Sequence, residues 1–209
     1  MTAGPTREML DPVRFLSNRS TGEMGYAIAR AAQKRGYQVT LISGPVALKP
    51  PKGISVVPVT SARDLQKACQ RYFPRHDILV MSAAVCDFTA AHFYDHKIRR
   101  TRTHQLHLKR TPDIISGLAK RKKASQVVIG FSLETEAWLA NAQQKIRRKR
   151  LDGIVANYYQ PNHIPFGKRK LTVAFLDARG GQRSLRQKSK GVIARKLLHW
   201  MEEIASKNR

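Results

Sequence analysis

Acidic side chains are scarce: 14 Asp and Glu stand against 39 Lys and Arg, a net charge of +25. A field of that sign concentrates polyanions, so nucleic acid is the first partner to weigh. Aromatic residues make up only 7% of the chain and offer few stacking platforms, and the basic residues are spread from Arg14 to Arg209 instead of forming one tail. Nucleic acid is therefore not the expected partner, and the charge reads as a property of the whole surface. The two cysteines, Cys69 and Cys86, are too few for a disulfide framework and are expected to stay reduced. No apolar run is long enough to span a bilayer and no signal-peptide pattern opens the sequence, so the expectation is a cytoplasmic protein away from membranes. His92, His96 and His104 lack a compact ligand spacing, which argues against a protein-held zinc. With no internal repeat and no linker, residues 1–209 read as one domain.

What is present is a loop rich in small and hydroxyl residues, from Thr2 through Glu8 and on through Asp11 to Gly25, followed by an amphipathic helix expected to begin near Ser20 or Thr21. Unpaired N–H groups and the helix dipole favour a phosphate there, so the stretch reads as a phosphate or nucleotide cradle. Met24, Ile28 and Ala31 carry the helix to a stop at Gly36. Val39–Ser43, Ile54–Val59 and Asp77–Ser82 then read as strands, with a helix capped by Ser61 before the third. Further on, Thr111-Pro112-Asp113 starts a helix, Val127–Phe131 is a core strand, and a long helix is expected over about Glu134–Arg150 with Lys145 and Lys149 on one face. Gly153–Asn157 is another strand, Leu171–Leu176 opens a hairpin, and a last helix carries Ile193, Leu197, Trp200, Met201 and Ile204 on one stripe. Leu106 and Leu108 alternate like an edge strand, and the polar stretch at about 89–105 reads as a flap.

This alternation predicts an α/β fold: a Rossmann-like, doubly wound, mostly parallel sheet with helices on both faces and a small C-terminal hairpin and helix addition. Ligand should lie at the carboxyl ends of the strands, near Gly22, the Ser43-Gly44 turn and Ala83–Phe88. Only Met1 and Thr2 precede Ala3, so the first strand reads as clipped.

The motifs Thr2–Glu8, Asp11–Phe15 and Ser17–Gly22 closely resemble the start of the synthetase part of the phosphopantothenoylcysteine synthetase (phosphopantothenate–cysteine ligase) family of coenzyme A biosynthesis. By itself Asp87 in Ala83-Ala84-Val85-Cys86-Asp87 reads as a turn former; the resemblance to that family's Ala-Ala-Val-Ala-Asp run makes Ala83 and Asp87 nucleotide neighbours, with Cys86 in place of Ala. Lys97-Ile98-Arg99-Arg100 alone would be a solvated charge run, but it resembles the flap motif Lys-Ile-Lys-Lys, whose first lysine matches Lys97. Thr111–Ile115 resembles Asn-Pro-Asp-Ile, which implies nucleotide contacts from Pro112, Asp113, Ile114 and Ile115; Gly130–Thr135 resembles Gly-Phe-Ala-Ala-Glu-Thr and implies one from Phe131. Lys145 and Lys149 match the two nucleotide-binding lysines of the following helix. Lys168–Leu171 departs from the family pattern.

The resemblance implies CTP as a substrate that brings Mg²⁺ with it, no metal held by protein alone and no flavin. It implies an acyl-cytidylate intermediate with Asn18 and Lys97 as catalytic residues, and Gly4, Thr6, Arg14, Ser17, Asn18, Ser20 and Gly22 around phosphate and substrate. It further implies a homodimer, and a separate decarboxylase protein, since no decarboxylase domain precedes Met1. Two other classes are weighed beside it. A reductase would need Gly-x-Gly-x-x-Gly, and the opening has Gly22-Glu23-Met24-Gly25 instead. A non-catalytic basic nucleotide- or nucleic-acid-binding descendant of the fold would bind with steep salt dependence and no need of CTP.

Overall fold

The computed structural model describes residues 1–100, 103–159, 166–167 and 169–208. Part of the 89–105 stretch, at 101–102, and Lys168 of the divergent Lys168–Leu171 segment lie outside them. Apolar runs and amphipathic runs alternate and fold accordingly: β1 (Thr2–Ala3), β2 (Arg7–Met9), β3 (Phe15–Ser17), α1 (Glu23–Lys34), β4 (Thr40–Ser43), β5 (Ser55–Pro58), α2 (Ala62–Tyr72) and β6 (Ile78–Met81). There follow β7 (Phe88–Ala90), β8 (Leu108–Arg110), α3 (Ile114–Ala119), β9 (Val127–Glu134), α4 (Trp138–Lys149), β10 (Gly153–Tyr158), β11 (Leu171–Asp177), β12 (Gln182–Lys188) and α5 (Lys190–Lys207).

The main sheet runs β12-β11-β10-β9-β6-β1-β4-β5. Strands β5, β4, β1, β6, β9 and β10 are mutually parallel, and β11 and β12 add an antiparallel edge. The order therefore reverses between β1 and β6, the switch point where a doubly wound sheet leaves a crevice. Side chains alternate between two cores. Val128, Ile154, Ala156 and Leu176 face one way with residues of α2, α3 and α4, while Val127, Ile129, Val155 and Phe175 face the other with α1 and α5. The stripe predicted for the last helix is buried throughout, Ile193 and Leu197 completely.

Four expectations are corrected. The long helix begins at Trp138 instead of Glu134, because β9 continues to Glu134 in register with Tyr158 of β10, and Ala137 then turns with φ of 43°. The first helix begins at Glu23, after Gly22 in the left-handed region, instead of at Ser20 or Thr21. The opening loop is not all loop: β2 and β3 pair antiparallel as a hairpin. Leu108 lies in a two-stranded ribbon with β7, away from the edge of the main sheet. The first strand is indeed short, yet β1 is central, flanked by β4 and β6.

Trp200 of α5 stacks on Phe175 with ring centroids 5.1 Å apart and covers the Gly153 backbone, where a Cβ would overlap its ring. Trp200→Ala should lower stability by about 3–5 kcal/mol, read from the midpoint of denaturant unfolding.

Candidate active site

The site grows from two loops laced together across the switch point. Ser82 Oγ donates to the Thr2 carbonyl (2.7 Å) and Ala83 N to Thr2 Oγ1 (3.1 Å). Ala84 N donates to the Gly4 carbonyl (2.9 Å), Thr6 N to the Ala84 carbonyl (3.1 Å), and Cys86 N to Thr6 Oγ1 (3.0 Å). The opening loop thereby continues β1 alongside the chain that leaves β6. At Gly44 any Cβ would overlap the Pro5 carbonyl oxygen, so only glycine lets the β4 exit close against this lace.

Asn18 joins the same seam, its Nδ2 donating to the Ala84 carbonyl at 3.0 Å. Its Oδ1 takes no hydrogen bond among the described residues. Ser17 Oγ donates to the Thr6 carbonyl (2.8 Å), and Ser20 Oγ accepts from Gly22 N (3.3 Å). Next to the seam lies a cavity of about 190 Å³. Its wall comes from Ser20–Met24 before and at the start of α1, Ser82–Ala84 after β6, and Phe131–Leu133 of β9. Asn157 of β10 and Phe166 complete the side toward the C-terminal strands. This is the carboxyl end of the parallel strands, as the sequence implied.

Of the residues anticipated from sequence, Ser20, Gly22, Ala83 and Phe131 line the cavity, and Gly4, Thr6, Ser17 and Asn18 build the seam beside it. The rest are not among its lining residues. Asp87 is exposed, and its carboxylate has no partner among the described residues. Thr111 N donates to the Asp87 carbonyl and Thr111 Oγ1 to that of Cys86 (2.5 Å), which seats Pro112 and Asp113 beside Asp87. Asp113 caps α3 and pairs with Lys149 at 3.1 Å. Ile114 is in the core and Ile115 packs against it. Lys145 pairs with Glu134. Both lysines therefore lie on the α4 face as expected, each held by a carboxylate.

Lys97 is exposed, next to an anchor the sequence did not reveal as one. The Asp11 carboxylate, wholly buried, accepts from Val13 N and Arg14 N at 2.8 Å each and from Ile98 N at 3.0 Å. The Tyr94 amide donates to the Leu10 carbonyl nearby. The connection from β7 to β8 is thus fastened to the β2–β3 turn. Arg14 stands 3.6 Å from Asp11 and outside the cavity wall, so its visible role is at this turn. The signal for Asp11 was in the sequence, because Asp followed by Pro-Val-Arg is a side-chain-capped turn. No local pattern marked Glu134, whose partner lies across the loop between β9 and α4.

The electrostatics are mild. Burial pushes the Cys86 thiol up, with the negative charges of Glu8 and Asp87 adding to it, so the thiol stays protonated. Burial also raises Cys69, to about 11. Burial lowers Lys190, partly offset by Glu23 at 3.6 Å. The first-turn Glu23 puts a carboxylate at the start of α1, which weakens the bare cradle inferred from sequence. Among the described residues no group of three or more His, Cys, Asp or Glu is placed to hold a metal, and no helix is long and apolar enough to cross a membrane.

Residues 1–205 match the family described as the DNA/pantothenate metabolism flavoprotein C-terminal domain. The chain is 43% identical over 208 residues to the coenzyme A biosynthesis bifunctional protein CoaBC of Bacillus subtilis, covering 99% of this chain and 50% of that protein. It is 40% identical over 196 residues to a cysteine/cysteine sulfinic acid decarboxylase of an unknown prokaryotic organism, covering 93% and 55%. It thus spans about half the length of these curated relatives. Among solved structures, the C-terminal domain of a CoaBC protein superposes with a TM-score of 0.84 at 36% identity, covering 99% of this chain and 94% of the other.

Burial raises the Asp11 carboxyl, but the amides of Ile98, Val13 and Arg14 and the Arg14 charge outweigh it and hold the group below its ordinary value. A depressed value makes the anchor complete above the ordinary value of 3.8 and loses it as pH falls further. In the wild type, protection of the Ile98 amide, corrected for intrinsic exchange, should collapse only in that acid range. Asp11→Asn should lower it by about tenfold or more already at neutral pH, measured by hydrogen exchange.

Proposed function

Because the chain belongs to the family of the DNA/pantothenate metabolism flavoprotein C-terminal domain, we propose that it is a phosphopantothenate–cysteine ligase that uses CTP. The observation that carries the proposal is the match over residues 1–205; Ser20, Gly22, Ala83 and Phe131, which line one cavity at the carboxyl ends of the parallel strands, support it. The relatives favour this over a non-catalytic nucleic-acid-binding descendant.

In the first half-reaction a carboxylate oxygen of 4′-phosphopantothenate attacks the α-phosphorus of CTP. The bond to the β-phosphate breaks, pyrophosphate leaves, and an acyl-cytidylate remains. In the second, the amine of cysteine attacks the acyl carbonyl, CMP departs with the bonding pair, and the amine's proton is released; the product is 4′-phospho-N-pantothenoylcysteine. Bringing an anionic carboxylate to a triphosphate requires cationic screening. Lys97 on the β7–β8 connection and Lys145 and Lys149 on α4 supply it, the latter two by exchanging Glu134 and Asp113 for phosphate oxygens. Mg²⁺ would come with the nucleotide, held by its phosphates, and would supply further charge screening there.

Asn18 serves the acyl-nucleotide. With Nδ2 committed to Ala84, its Oδ1 remains to accept a hydrogen bond from the incoming amine. The segment 89–105 acts as a flap over the reacting groups, and Phe131 and Ala83 bound the nucleotide. We assign the enzyme to the cytoplasm and to a homodimer, with residues 1–209 as one ligase domain that itself needs no flavin.

Pyrophosphate release should require phosphopantothenate, Mg²⁺ and CTP, with ATP a poor substitute. Lys97→Ala should abolish release, whereas Asn18→Ala should still form acyl-cytidylate and let it accumulate, detectable by mass spectrometry of the quenched reaction. No release from folded wild-type protein with either nucleotide would overturn the assignment.

A further inference from the structure

A larger cavity, about 460 Å³, lies on the other side of the Glu23–Lys190 ion pair, between α1 and α5. Ala27, Ala31 and Leu48 give it a partly buried apolar floor. Arg30, Lys34 and Arg195 stand around it, the first two one turn apart on α1. None of these three has a hydrogen-bond or ion-pair partner among the described residues. This is not for want of acids on the same helices: Glu202 takes Arg35 at 2.6 Å and Glu203 takes Arg183 at 2.5 Å. The single carboxylate in the cavity, Glu23, is engaged by Lys190. Three cations and one Lys190–Glu23 ion pair thus stand around an apolar floor, in a volume typical of small-molecule sites.

We propose that this cavity is a second binding site, for a small organic molecule bearing a di- or triphosphate. Its arginines suit phosphate oxygens because a guanidinium offers a planar fork of donors, and its floor suits an apolar or aromatic body. The cavity meets the one assigned to catalysis at the Glu23–Lys190 pair, which lines both, while Arg30, Lys34 and Arg195 line this one alone, and the inference does not depend on the ligase reading. It also gives part of the excess positive charge a specific use.

Calorimetric titration of the full chain with ADP and with pyrophosphate, at fixed ionic strength and without other substrates, tests it. Removing two charge-assisted contacts in Arg30→Ala/Arg195→Ala should weaken one class of ADP site by about tenfold or more. Arg63→Ala/Arg121→Ala removes the same charge from exposed positions on and next to the helices of the opposite face and should change affinity within about twofold. ADP should bind more tightly than pyrophosphate in the wild type, because only ADP uses the floor. Equal losses in both double variants would reduce the attraction to a general surface field and overturn the site, as would unchanged ADP binding in Arg30→Ala/Arg195→Ala. Lys97→Ala, which removes a cation assigned to catalysis, should leave this class of site intact even if the ligase assignment fails.

Discussion

Everything at the carboxyl ends of the parallel strands depends on the lacing of two loops across the switch point. A two-residue β1 cannot hold the centre of a sheet by its own ladder, and its register ends at Ala3. The Thr2 hydroxyl and carbonyl, the Gly4 carbonyl and the Thr6 side chain extend that ladder over the residues leaving β6. Because Asn18 closes on the same Ala84 carbonyl that Thr6 N uses, the position of the β2–β3 hairpin, the start of α1 and the cavity wall are all set from one seam.

The ion pairs around α4 have a different character. Lys145–Glu134 and Lys149–Asp113 join the helix to the end of β9 and the start of α3. In each pair one member, Lys145 or Asp113, is the more exposed, while its partner, Glu134 or Lys149, is mostly covered, so solvent screens each pair from one side only.

The parallel strands and the stripe on α5 could be read in the sequence because each rests on local periodicity: Val127–Phe131 and Ile193–Ile204 declare themselves by spacing alone, whereas the strand order that makes the switch point is non-local and did not. Helix starts were less legible. Glu134 has the propensity for a helix, yet pairing with β10 keeps it in a strand, and nothing near it in sequence records that partner. The β2–β3 hairpin was hidden for a similar reason, since its strands are only three residues long and mostly exposed apart from Glu8. Residues of the seam were legible through their motif, whereas Asp11 was visible as a turn former but not as the residue that captures Ile98 from 87 positions away.

That capture changes what ordering the β7–β8 connection involves. A long loop tethered only at its ends must search a large conformational space before it can settle over a ligand. Fastened near its middle by Leu10 and Asp11, the connection becomes two shorter arcs, and the configurational entropy lost when either arc settles is smaller. The two arcs still touch, because the Tyr94 ring meets that of His104 edge to face at 5.9 Å, so the arc between Ala90 and Ile98 that carries Lys97 is braced by the other.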